Sequence, residues 1–154
     1  MMKIIKATNK YSQKISELML LELENPNPLF PHKMIEKFRE HAKKENVSKE
    51  FRNPDLIAFL ALDKESVVGF IVGYENRHDN SAMIHYLASK KKKAKSELLK
   101  SFIKECKRRN LKKIIADTFE FMDNNDFFQT NGFKLIRKEK IADKLEMLWY
   151  EFHS

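Results

Sequence analysis

The sequence predicts an α/β fold built as one mixed, twisted sheet with helices on both faces, in the order βα(α)βββαβαββ. Three observations carry this. Apolar residues recur with strand period in some stretches and with helical period in others. A strand–helix–strand run over 81–119 needs a crossover connection, so those two strands are parallel. Two pairs of strands, within 56–75 and 133–152, are joined by short polar turns and are therefore antiparallel hairpins.

Lys3–Thr8 (KIIKAT) reads as the first strand. Ile15, Leu18, Met19, Glu22 and Leu23 then fall at helical spacing, and that helix stops before Asn25-Pro26-Asn27-Pro28. A second helix begins near Pro31-His32, with Met34, Ile35 and Phe38 on one face, and Asn53-Pro54 ends the helical region. Leu56–Asp63 and Ser66–Glu75 form a hairpin about Lys64-Glu65, and Ser81–Ser89 is the next strand. Leu98, Leu99, Phe102, Ile103 and Cys106 mark a helix running to Asn110. Lys113–Phe119 is a strand and Asn124–Asn131 a short helix, closed by Gly132 because a residue without Cβ suits the left-handed position past a helix end. Strands over 133–140 and 145–152 complete the order. The last of these, with Trp149 and Tyr150, either completes the sheet or pairs across a homodimer.

The 154 residues fit one domain spanning 1–154, with 42% hydrophobic and 34% charged residues. No apolar run approaches the ~18 residues that span a bilayer, and no apolar signal segment follows the early lysines, so a cytoplasmic protein is expected. The single cysteine, Cys106, excludes an internal disulfide framework. It lies on an apolar helical stripe, which makes it an inert core thiol rather than a nucleophile. The five histidines show no metal-ligand spacing. Between Lys90 and Lys113 twelve Lys or Arg face two acids, Glu97 and Glu105, a local excess of ten that exceeds the net charge of +8, so the remaining residues sum to minus two. That pattern suits a local anion site or a solvated helix face. A nucleic-acid binder ranks last, since interleaved aromatics are missing.

Several stretches resemble the GNAT (GCN5-related) N-acetyltransferases. LIAFLALDKESVVGFIVGYE resembles the second and third strands of that family, MIHYLAS the fourth, LLKSFIKECKRRNLKKIIAD the following helix and fifth strand, and DFFQTNGFKLIRKEK the stretch that closes the fold. The resemblance implies a GNAT-like acyl-CoA N-acyltransferase fold and acetyl-CoA as co-substrate. It implies transfer to a primary amine of a small molecule or peptide by direct attack on the thioester.

By that resemblance Leu87, Ala88 and Ser89 line the pantetheine arm, Lys93, Ala94, Lys95 and Ser96 cradle the pyrophosphate, and Asn124 and Phe128 lie near the arm and the sulfur. Candidate bases are Glu75, His85 and Asp117, with Asp79 a further carboxylate near the cleft. Adjacent on one strand, His85 and Tyr86 are expected to face opposite sides of the sheet. The sequence departs from the family twice. Its Arg/Gln-x-x-Gly-x-Gly/Ala loop falls on Lys90–Lys95, which puts Lys93 and Lys95 at the glycine positions; a register one residue later puts Ala94 and Ser96 there. Where many relatives have a tyrosine that protonates the leaving thiolate, this chain has Phe128, which has no proton to give. A catalytically inactive binding or regulatory module is therefore the alternative reading.

Overall fold

The computed structural model describes residues 2–120, 122 and 124–153. Its elements run β1 (Met2–Lys6), α1 (Ser12–Glu22), α2 (His32–Ala42), α3 (Lys44–Glu50), β2 (Leu56–Asp63), β3 (Ser66–Asn76), β4 (Ser81–Ser89), α4 (Lys92–Arg108), β5 (Lys113–Phe119), α5 (Asn124–Thr130), β6 (Lys134–Ala142) and β7 (Leu145–His153). The strands form one sheet in the order β1-β2-β3-β4-β5-β7-β6, antiparallel throughout except for the parallel β4–β5 pair. The crossover between β4 and β5 is α4, as the period change predicts.

The sheet is packed on both faces. On one, Leu98, Leu99, Phe102 and Cys106 of α4 and Phe128 of α5 pack against Ile57, Ile71, Ile84, Ile114 and Tyr150. On the other, Ile15 and Met19 of α1, Leu23 just past its end, Ala42 of α2 and Val47 of α3 pack against Leu60, Phe70 and Ala88. Because β7 inserts between β5 and β6, the last strand completes this sheet. Cys106 is wholly buried, and burial pushes its thiol up to about 12. Among the described residues no helix is long and apolar enough to cross a membrane.

Two short signals behave as their chemistry requires. Gly132 takes φ +88°, and the Phe133 N–H reaches the Phe128 carbonyl while the Gly132 N–H reaches Gln129, a Schellman closure of α5. Asn110 does the same for α4 at φ +62°, with the Leu111 N–H on the Cys106 carbonyl. The separate α3 is not foreseen in the sequence. It is seven residues of KENVSKE with only Val47 buried, too short and polar to show a period, and Lys43 breaks it from α2 with extended backbone.

Candidate active site

The site begins with a bulge. β3 and β4 pair Val72 with Tyr86 and Gly73 with Ile84, so His85 is one residue extra. A bulge bends its strand and puts two successive side chains on the same face. Tyr86 stacks on Phe70 at 5.8 Å within the α1–α3 core, and His85 meets Tyr74 edge-on at 4.8 Å. Both therefore face the α1–α3 side. The expected opposite facing fails, because strict alternation does not survive the bulge.

The bend has a second consequence. β4 pairs with β5 only from Ser81↔Lys113 to Ile84↔Ala116. Past that point β4 stays on β3 up to Ser89, and β5 stays on β7 up to Phe119. The strands part, leaving a wedge whose walls are Tyr86–Ser89 and Asp117–Phe119. The β4 wall has one backbone edge outside the ladder, able to hydrogen-bond an extended ligand, whereas at the end of the β5 wall the Phe119 carbonyl already accepts the Met122 N–H at 3.0 Å.

On the α4 side, two residues, Lys90 and Lys91, connect β4 to α4, and no acid lies in the first turn of that helix. Its leading N–H groups have no intrahelical acceptor and carry the positive end of the helix dipole. The Ser89 hydroxyl donates to the Lys91 carbonyl at 2.7 Å and accepts the Lys91 N–H at 3.0 Å, which fixes the turn. Lys91 is paired with Asp63 and holds that carboxyl below its usual range. Lys90, Lys92 and Lys93 are exposed, whereas Ala94 is wholly buried in the core. Lys95 points elsewhere: it donates to Asn124 Oδ1 and lies 4.5 Å over the Phe127 ring, bridging α4 and α5. Leu87 is half-buried against the α4-side core. Ala88 and Phe128 are core side chains, Phe128 being 2% exposed with its ring against Phe133 and Tyr150. In this conformation Phe128 presents nothing to the wedge.

On the α1–α3 side, His85 and Asp117 each lie one residue past the last ladder pair, Ile84↔Ala116, and flank the wedge on the same face. Asp117 alternates with the buried Ala116 and Thr118 and is followed by Phe119, whose ring meets Phe30 at 4.8 Å. Burial, with Glu139 adding like charge, pushes its carboxyl up to about 6. Partial desolvation, then nearby His41, holds the His85 imidazole below its ordinary value. Trp149, opposite Asp117 on β7, donates to Glu139 at 3.2 Å and lies under Arg137. Asp117 and His85 are thus both shifted from their ordinary values by their surroundings, in opposite senses.

Glu75 does not join them. It accepts Arg109 at 2.8 Å from the end of α4, lies on the α4 face and is largely buried, so it is a structural carboxylate rather than a free base. Asp79 accepts the Ser81 hydroxyl at the opposite end of β4. A residue the sequence reading does not single out is Glu22, at the end of α1. Partial desolvation raises the pKa of this solvent-exposed carboxyl, Lys95 partly offsets this, and it acts electrostatically on Tyr86, whose phenol is pushed up to about 12 mainly by burial. The signal is visible in the sequence as a carboxylate among Ile15, Leu18, Met19 and Leu23 on one helical stripe.

Residues 16–133 match the family model described as the acetyltransferase (GNAT) family. No curated protein matches the sequence. Among solved structures, the chain is similar to PaiA N-acetyltransferase from Thermoplasma acidophilum in complex with coenzyme A, at 18% identity and TM-score 0.81, with 100% of this chain and 99% of that one covered. It is also similar to an acetyltransferase of the GNAT family from Staphylococcus aureus Mu50, at 20% identity, 99% coverage of both chains and TM-score 0.77. A third similar structure is the aminoglycoside 6'-N-acetyltransferase from Enterococcus faecium, at 16% identity, 98% and 96% coverage and TM-score 0.77.

Proposed function

The chain belongs to the GNAT acetyltransferase family, and from that premise we propose that it is an acetyl-CoA-dependent N-acetyltransferase acting on a primary amine by direct attack. The observation that carries this reading is the β4–β5 wedge, with the positive end of α4 at its mouth on one face and His85 and Asp117 on the other. Acetyl-CoA would supply an activated acyl group.

The residues present fit that co-substrate, although not through the family's glycines. The exposed Lys90, Lys92 and Lys93 can neutralise phosphates where backbone N–H groups would otherwise do so. Lys92 and Lys93 oppose the dipole of their own helix, a cost that a bound anion removes. The free edge of Leu87–Ser89 is suited to hold the amides of an extended arm. Asn124 and Lys95 tie α5 to α4.

An amine acceptor arrives mostly as its ammonium ion, so a base must take a proton before attack. Asp117, at about 6, is the first choice, and His85 beside it is the second. Glu75, paired with Arg109, ranks behind both in this reading. The acceptor would enter from the α1–α3 side, between Phe30, Tyr74 and Trp149. The whole chain, 1–154, acts in this reading as one catalytic domain.

A second reading, a GNAT-like module that binds without catalysis, is favoured by Lys95 and Phe128. Lys95 occupies the second glycine position of the motif and extends to Asn124, and Phe128 is enclosed. Release of free thiol from acetyl-CoA, followed across a panel of primary amines, separates the two. An active enzyme gives amine-dependent release whose rate rises with pH through about 6, and Asp117→Asn lowers kcat by roughly a hundredfold with KM for acetyl-CoA little changed. Binding of acetyl-CoA with no release by any amine supports the module.

A further inference from the structure

Thr118 Oγ1 is the one buried side-chain nitrogen or oxygen without a hydrogen-bond partner among the described residues, and Thr118 is only 4% exposed. A hydroxyl shut away from water and left unpaired destabilises the fold, and valine has nearly the same shape without that penalty. Such a group is most simply explained by a partner that arrives from outside.

Its place in the sheet says which partner. Thr118 lies two residues past Ala116, the last β5 residue in register with β4, so it belongs to the wall of the wedge. It alternates with Ile114 and Ala116, which face the α4 side, and pairs with Leu148 of the same core across the β5–β7 ladder. The polar groups of α5 on that side are already used: the Tyr150 hydroxyl donates to Asn125 Oδ1 at 2.9 Å, and Asn125 Nδ2 donates to the Phe119, Glu120 and Met122 carbonyls. Lys95 and Asn124 engage each other between α4 and α5. None of them turns to Thr118.

We propose that the Thr118 hydroxyl is a binding residue for the amide-bearing arm of the acyl-CoA in the wedge, donating to an amide carbonyl or accepting an amide N–H. This rests on the acyl-CoA reading above and adds a side-chain contact to the backbone edge of β4. An arm of plain hydrocarbon could not satisfy it.

The test is calorimetry on wild type, Thr118→Val and Thr118→Ser with two probes: coenzyme A, and adenosine 3′,5′-bisphosphate, which carries phosphates but no arm. The expected result is that Thr118→Val binds coenzyme A roughly three- to tenfold more weakly and the bisphosphate unchanged. Thr118→Ser keeps the hydroxyl and stays within about twofold of wild type, and ligand-free Thr118→Val melts at or above the wild-type temperature. Equal affinity of wild type and Thr118→Val for coenzyme A overturns the proposal, as does an equal loss for both probes. Wild type that binds neither probe overturns the acyl-CoA reading itself, a pattern distinct from the other two.

Discussion

Residues Ser81–Ile84 of β4 are laddered on both edges, whereas Tyr86–Ser89 are laddered on one. Around the first half the polar groups are used up. Arg109 binds Glu105 and Glu75 at 2.8 Å each and the Leu56 carbonyl at 3.2 Å, Arg108 adds a second hold on Glu105, and Arg77 links Glu75 to Asp55. Phe102 presses on Gly73 so closely that an added Cβ would lie 2.6 Å from its ring and 2.3 Å from the Met83 carbonyl. Around the second half the opposite holds. Lysines crowd the positive end of a helix, a threonine hydroxyl has no partner, and a carboxyl is held partly desolvated. The two halves of β4 thus border a region whose polar groups are paired and a region, shared with β5, whose unmet interactions are left for a ligand on the reading proposed above.

The contrast can be broken most severely at Gly73. Gly73→Ala should cost about 3 kcal/mol, because the obstacle is backbone and a core ring rather than a mobile side-chain end. Thermal melting checks this, and a change below about 1 kcal/mol would mean that the two sheets of contacts are looser than described. Next is Arg109→Met, which leaves Glu105 and Glu75 short of a partner and should cost about 2 kcal/mol by urea unfolding.

The two regions should also answer pH in opposite directions. Hydrogen bonds from Arg108, then from Arg109, against some desolvation, bring Glu105 to about 2. Its contribution is present above the ordinary carboxylate range and fades as pH falls toward about 2, so the stability gap between wild type and Glu105→Gln should narrow on acidification. Asp117 is raised to about 6, so the folded state holds its proton more tightly than the unfolded chain. It therefore loses stability as pH rises from the ordinary carboxylate range through about 6, and Asp117→Asn should be relatively more stable at alkaline than at acidic pH. Melting curves of both variants across pH read this out; parallel curves would contradict it.

The smallest effect is expected at the helix start. Lys92→Glu with Lys93→Glu should stabilise α4 by about 0.3–1 kcal/mol per site through the dipole, while weakening any binding of coenzyme A. Gain of stability with undiminished binding would detach the lysines from the proposed anion site.

Much of this architecture is legible in the sequence because it rests on local rules. The Leu98–Cys106 stripe gives α4, Gly132 gives the end of α5, and the crossover gives the parallel β4–β5 pair. What escapes depends on register. The bulge at His85 leaves no mark in MIHYLAS, yet it turns His85 and Tyr86 to the same face and opens the wedge. Glu75 reads as a free carboxylate on a strand end, because nothing in the sequence reveals that Arg109, 34 residues away, reaches it. Thr118 looks like an ordinary strand threonine until the loss of its neighbour strand and its unpaired hydroxyl are seen together.

The central claim, that the open half of β4 is an acyl-CoA site served by lysines, is tested most directly by titrating coenzyme A into wild type and a Lys90–Lys93→Ala variant at low and moderate salt. The account predicts micromolar binding by wild type, weakened by salt, and its loss in the variant while the fold melts at or above the wild-type temperature. Wild type that shows no heat of binding at high ligand concentration, or a variant that binds as tightly as wild type, would contradict it.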